Sequence, residues 1–191
     1  SSTSRGLGDV YKRQIVIMNL NKIDIENFIS FNGTNFHIEL TYEVFGLPIG
    51  KAPIVLVNHA LTGNSTVTGK NGWWNPIIGK EKLIDTEKYS ILSFNFPGNG
   101  YGGKLIENYK DLILKDIAKI FLIGLNKLKI ESLFAIIGGS IGASLTWEMA
   151  VISPNISQNI IPVAGDWKSS DWIIANTCLL YTSDAADDLL C

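Results

Sequence analysis

Leu133-Phe134-Ala135-Ile136-Ile137-Gly138-Gly139-Ser140-Ile141-Gly142 decides the fold of this 191-residue chain. Five consecutive apolar residues closed by a glycine pair have the length and composition of a strand buried on both faces. Residues 141–151 then read as a helix, so Ser140 falls on the turn between strand and helix. On a turn this sharp, glycine neighbours (Gly138, Gly139, Gly142) remove the Cβ atoms that would collide across it. The helix starts beneath the serine and presents its unbonded N–H groups to the same point. This pattern makes Ser140 the expected nucleophile. The plainer alternative is an ordinary βα turn in which the Ser140 hydroxyl only caps a helix.

A nucleophile of this kind needs an oxyanion hole built from two backbone amides. One follows the serine, here Ile141, and the other comes from the loop after an earlier strand. Ile54-Val55-Leu56-Val57 is a short, wholly apolar run with the character of a central strand. The loop Asn58-His59-Ala60-Leu61-Thr62-Gly63-Asn64 follows it, and the Leu61 N–H is the expected second donor. Such donors are each worth about 3–4 kcal/mol in the transition state. Further upstream, residues 36–45 alternate, with Phe36, Ile38, Leu40, Tyr42 and Val44 on one face. The partner strand is expected at residues 26–31, across the turn Asn32-Gly33-Thr34-Asn35. Residues 89–94 read as another strand, residues 111–128 as an amphipathic helix, and residues 160–163 as a fourth short apolar run interrupted by Pro162. Parallel strands alternating with helices, after an antiparallel hairpin, predict a mostly parallel, doubly wound α/β sheet, and the serine elbow at its strand-to-helix turn points to an α/β-hydrolase fold.

The two ends of the chain are expected to be foreign to it. Asp9-Val10-Tyr11-Lys12-Arg13-Gln14 can be written GAT GTG TAT AAG AGA CAG. The reverse complement, read one frame over, encodes Cys-Leu-Leu-Tyr-Thr-Ser, which is Cys178 to Ser183. A sequencing adapter on both ends of a fragment gives this relation. Residues 1–14 and 178–191 are therefore set aside from fold reasoning, and residues 15–177 are taken as the N-terminal part of one truncated domain, with Met18 as a start. Both cysteines, Cys178 and Cys191, fall in the excluded tail, so neither a disulfide framework nor a metal site is expected. Lys and Arg number 16 against 18 Asp and Glu. Setting aside Arg5, Lys12, Arg13 and Asp9, Asp184, Asp187, Asp188 leaves 13 against 14. Such a balance points to neither a nucleic-acid nor an anionic-membrane partner. No apolar run approaches the roughly 20 residues of a membrane span, and a cytoplasmic location is expected.

The chain has two histidines. In this fold the order is serine, acid, histidine. His59 precedes Ser140 and is read as a loop-shaping residue, and His37 as part of the hairpin. The catalytic histidine, and with it the acid, is expected beyond residue 177. Asp166 and Asp171 come early for the acid without being excluded. On this reading the chain by itself is inactive. Gly98-Asn99-Gly100-Tyr101-Gly102-Gly103-Lys104-Leu105 approaches a phosphate-binding loop but ends in leucine where a metal-binding hydroxyl is needed. Trp73-Trp74 is read as loop packing rather than a ligand platform.

His59-Ala60-Leu61-Thr62-Gly63, Gly72-Trp73-Trp74, Ile84-Asp85-Thr86-Glu87-Lys88-Tyr89 and Gly138-Gly139-Ser140-Ile141-Gly142 resemble the homoserine O-acetyltransferases in order and spacing. The resemblance implies a helical lid inserted later in the chain and no bound cofactor. It implies transfer of an acetyl group from acetyl-CoA, as co-substrate, to the hydroxyl of L-homoserine in methionine biosynthesis. It also implies an acyl-Ser140 intermediate and a homodimer. Two stretches depart from the family pattern. Phe96-Pro97-Gly98-Asn99-Gly100-Tyr101-Gly102-Gly103 stands where the family usually has Leu-Gly-Gly followed by Gly-Ser-Thr-Gly-Pro. Ala143-Ser144-Leu145 stands for Gly-Met-Gln. An ester hydrolase and a non-catalytic binding protein on the same fold are the competing readings.

Overall fold

In a computed structural model of the chain, residues 20–102, 104–172 and 174–175 are described. The stretches 1–14 and 178–191, Met18 and both cysteines lie outside them. Strands β1 (Asn21–Ile29) and β2 (Asn35–Gly46) form the expected antiparallel hairpin. β1 begins five residues earlier than the sequence pattern indicates, because a bulge hides the alternation. Ile23 and Ile25 face the core in phase. The register then shifts between Ile25 and Phe28, where Asn27 has φ 54°. After β3 (Ile54–Asn58), the short parallel ladder of β4 (Ile78–Gly79) and β5 (Ile84–Asp85) interrupts a stretch that reads as continuous loop. β6 (Ser90–Phe94), α1 (Leu114–Lys127), β7 (Leu133–Gly139), α2 (Ile141–Ile152) and β8 (Ser157–Val163) complete the described order.

The main sheet runs β1-β2-β6-β3-β7-β8. β1, β2 and β6 are antiparallel neighbours, and β6, β3, β7 and β8 are parallel. β3 and β6 are buried throughout, as their unbroken apolar composition requires. Successive residues of β3 supply opposite cores. Ile54 and Leu56 pack with α1 and α2 through Phe121, Leu125, Leu145 and Met149. Val55 and Val57 pack with Val67, Ile78, Ile84 and the two tryptophans. Among the described residues both helices therefore cover one face, and the segment between β3 and β6 covers the other. Among the described residues β8 is the last strand of the order, and its Pro162 pairs in register with Gly138 of β7.

α1 starts three residues later than its apolar stripe indicates. Tyr109–Asp111 forms a turn of 3-10 helix instead. The fully buried Asp116 fixes this boundary: its Oδ2 accepts the N–H of Ile113 at 3.1 Å, and its Oδ1 accepts that of Phe31 at 2.9 Å. Asp111 is used in the same junction, accepting from the Thr34 hydroxyl at 2.9 Å. Two acidic side chains thus dock the hairpin turn onto the entry to α1. No helix among the described residues is long and apolar enough to cross a membrane.

Candidate active site

Ser140 sits between β7 and α2 with φ 56° and ψ −121°, a conformation that costs an L-residue about 1–3 kcal/mol. Its N–H continues the sheet, donating to the Val163 carbonyl at 2.9 Å, while its own carbonyl accepts from Ala143 at 2.9 Å and Ser144 at 3.3 Å in the first turn of α2. The side chain is exposed and makes no capping hydrogen bond. The plainer alternative, a serine spent on capping, is therefore not what the fold contains. Ile141 and Gly142 open α2, and their amides have no acceptor within the helix.

The strained turn is held by close approaches that only glycine permits. A Cβ on Gly138 would lie 2.0 Å from the Gly142 carbonyl oxygen. One on Gly142 would lie 2.3 Å from the Asn58 oxygen and 2.6 Å from that of His59. Gly139 differs: a Cβ there would meet only Trp74 Cζ2, at 3.9 Å, an ordinary contact. Its hydrogen side chain is not sterically required, and the expected equivalence of the three glycines does not hold. Gly165, which no sequence pattern singled out, is required instead. Its Cβ would fall 2.5 Å from the Ser140 oxygen and 2.5 Å from Ala143 Cβ.

The contact of Gly142 with Asn58 and His59 brings the end of β3 against the elbow, as an oxyanion hole requires. Asn58 is fully buried and donates from Nδ2 to Thr146 Oγ1 at 3.1 Å. Thr146 gives its only hydroxyl proton to the Gly142 carbonyl at 2.9 Å, so towards Asn58 it can only accept. This amide pins β3 to the second turn of α2, and nothing in an apolar strand followed by one asparagine announces it. The loop then turns through a hydrogen bond from Gly63 N–H to the Ala60 carbonyl at 2.9 Å, leaving Leu61 exposed at its tip.

His59 is fully buried with both ring nitrogens engaged. Nε2 lies 3.2 Å from the Phe96 N–H and accepts it, which leaves Nδ1 to donate to the Ala60 carbonyl at 2.7 Å. Burial holds the imidazole below the ordinary histidine range, against the opposing effect of the Ala60 bond. A neutral ring with no free nitrogen, packed at 4.3 Å and tilted 34° against Phe96, shapes the loop. His37 is exposed in the hairpin, 3.3 Å from Asp24. Asp171 is exposed, and Asp166 meets α2 through its backbone, its carbonyl accepting from the Ser144 hydroxyl at 2.8 Å. The glycine-rich stretch leads into no helix, and Lys104 is paired with Glu39 at 2.8 Å. Trp73 and Trp74 stack at 4.8 Å and pack on the core as expected, although Trp74 also borders Gly139 beside the serine. Among the described residues no group of three or more metal-ligating side chains occurs.

A family model described as the alpha/beta hydrolase fold matches residues 53–180. The chain belongs to the α/β-hydrolase fold family. Within that family, a homoserine O-acetyltransferase of Nautilia profundicola is 34% identical over 157 residues, covering 72% of this chain and 43% of the relative. The structure of a homoserine O-acetyltransferase from Staphylococcus aureus superimposes with a TM-score of 0.72 at 27% identity, over 80% of this chain and 48% of that one. An acetylester hydrolase from Corynebacterium glutamicum shares the fold with a TM-score of 0.75 at 24% identity, over 88% of this chain and 50% of that one. The chain thus spans less than half the length of the curated relatives it matches. In this α/β-hydrolase chain the elbow closes the central parallel strand β7, and β3, whose loop faces the elbow, is its direct neighbour.

Proposed function

We propose that this chain is the N-terminal part of a cytoplasmic homoserine O-acetyltransferase in which Ser140 is the nucleophile. The observation that carries the reading is Ser140 itself: a strained, exposed serine over the N-terminus of α2 whose hydroxyl is not used as a cap. The name carried by the curated relatives supports the choice of acetyl-CoA and L-homoserine as substrates.

Ser140 Oγ attacks the thioester carbonyl carbon and gives its proton to a histidine base in the remainder of the longer protein. The amides of Ile141 and Leu61 hold the oxyanion. The C–S bond breaks, and CoA leaves as the thiol with that proton. The homoserine hydroxyl then attacks the acetyl-serine, and its proton passes through the same base to Ser140 Oγ as the enzyme ester opens. His59 takes no part, because both its nitrogens are committed and its ring is kept neutral. On this account the 191-residue chain alone does not turn over.

The test is CoA thiol release from acetyl-CoA by the full-length gene product, with and without L-homoserine. Release that requires homoserine and is lost in Ser140→Ala is the expected result. Ser140-dependent ester hydrolysis without homoserine-dependent release would replace the acyltransferase by an ester hydrolase.

A further inference from the structure

The loop that carries Leu61 is gripped by a half-buried carboxylate that the proposed chemistry does not use. Glu43 Oε2, on β2, accepts from the Ser65 hydroxyl at 2.6 Å and from the Thr66 hydroxyl at 2.7 Å. Thr66 Oγ1 also lies 2.6 Å from the Tyr101 hydroxyl. Thr66 has one proton and gives it to Glu43, so Tyr101 is the donor in that bond. Asn95 Nδ2 donates to Ser65 Oγ at 2.9 Å and to Thr41 Oγ1 at 2.9 Å, and Asn95 Oδ1 accepts the Ser65 N–H at 2.8 Å. The protons of Tyr101, Thr66, Ser65 and Asn95 thus run towards one carboxylate oxygen. Short charge-assisted bonds of this kind are about twice as strong as neutral ones. They join three segments: β2, the loop after β3, and the loop after β6. Trp73 adds a bond from its indole N–H to the Asn64 carbonyl at 2.9 Å. One residue, Asn64, separates Ser65 from the turn closed by Gly63 and Ala60, so a shift at residue 65 is passed back along this short loop to the Leu61 amide four residues earlier. Tyr101 belongs to the stretch that departs from the family pattern.

We propose that Glu43 is a positioning residue. Through Ser65 and Thr66 it sets the place of the Leu61 amide, with Tyr101 as the outer member of the same chain of hydrogen bonds. The inference rests on Ser140 as nucleophile and Leu61 as oxyanion donor.

The experiment measures acylation and turnover of the full-length protein with a chromogenic acetyl ester and with acetyl-CoA, and titrates active sites from the burst amplitude. Glu43→Gln and Thr66→Val are expected to lower kcat per active site by about 10- to 100-fold, with KM changed less than about twofold, because a displacement of about 1 Å has effects of this size. Thr66→Ser, which keeps both bonds, is expected to restore the rate, and Tyr101→Phe to have a smaller effect in the same direction. A purely structural role would lower the melting temperature and the burst amplitude but leave the rate per site unchanged. A wild-type rate per site in Glu43→Gln would overturn the proposal. If that variant does not fold, equal rates in Thr66→Val and Thr66→Ser would overturn it. A wild-type protein that acylates Ser140 without transferring to homoserine would refute the proposed acceptor alone, and the variant acylation rates would still decide the role of Glu43. A wild type that never acylates Ser140 would remove both.

Discussion

Replacing Gly142 by alanine sets two effects of opposite sign against each other. Gly142 is the second residue of α2, and helix propensity alone favours alanine by about 0.5–1 kcal/mol. The added Cβ, however, would sit 2.3 Å from the Asn58 carbonyl oxygen and 2.6 Å from that of His59. Both are backbone atoms, and Asn58 is tied to α2 through Thr146, so no side chain can swing away. Real Cβ atoms stay beyond 3.0 Å, so the elbow and the β3 loop must separate by about 0.7 Å. Forced separations in a packed region cost about 1–3 kcal/mol, which outweighs the propensity gain. The net expectation is a loss of about 1–2 kcal/mol, or about 2–8 °C in melting temperature for a domain of this size. On the proposed mechanism, in which the Leu61 amide holds the oxyanion, acyl-enzyme formation by the full-length protein should fall by about 100-fold, because the same movement shifts the loop that carries Leu61. Gly139→Ala is the control. Its Cβ meets only Trp74 at 3.9 Å, so stability should stay within about 0.5 kcal/mol of wild type. Urea melts of both variants, with single-turnover acylation, decide the matter. A Gly142→Ala protein as stable and as active as wild type would refute the close approach on which the site is built.

The buried His59 should make stability fall with acidification. Its pKa lies below the ordinary value in the folded chain, so between that value and about pH 6.5 the unfolded chain binds the extra proton. The contribution is complete above about pH 7.5 and is lost as pH falls from about 6.5 through the lower folded-state value, with a slope of at most about 1.4 kcal/mol per unit. Denaturant midpoints from pH 5 to 8 should show this slope and lose it in His59→Gln; an unchanged slope in the variant would contradict the assignment. Hydrogen bonds from Lys104 and Lys22 hold Glu39 below its ordinary range, and the Glu87 N–H does the same for Asp85. Both act only in more acid solution, below about pH 4.5. Asp116→Ala removes the acceptor of two backbone N–H groups and should cost about 2–4 kcal/mol in urea unfolding at an unchanged m-value. A loss under about 0.5 kcal/mol would mean that the carboxylate does not join the hairpin to α1.

The parts of the fold that were legible in the sequence are those in which one strand or helix keeps one phase. β2 shows its period of two, β3 and β7 their unbroken apolar runs, and the elbow its glycines. Where a single residue breaks the phase, the pattern misleads: the bulge at Asn27 concealed the first half of β1. Asp111-Leu112-Ile113 continues the apolar stripe of α1, yet the helix begins after them because Asp116 captures the Ile113 amide. A two-residue ladder such as β4 with β5 is too short to show any period. At the site, Ser140, Gly138 and Gly142 were readable because the turn constrains neighbours in sequence. Gly165, Asn58 and Glu43 were not, since what they touch lies 25 or 88 residues away for the first two and across the β3 loop for the third. His59 was readable as a loop-shaping residue from chain order, and both its ring nitrogens are engaged in hydrogen bonds around that loop.

An acyl-enzyme on Ser140 can be trapped and weighed. The full-length protein, mixed with acetyl-CoA and quenched before homoserine is added, is digested and its peptides weighed. One acetyl group is expected on the peptide containing Ser140, released when L-homoserine is supplied and absent in Ser140→Ala. An acetyl group on another residue, or CoA release that survives Ser140→Ala, would contradict it.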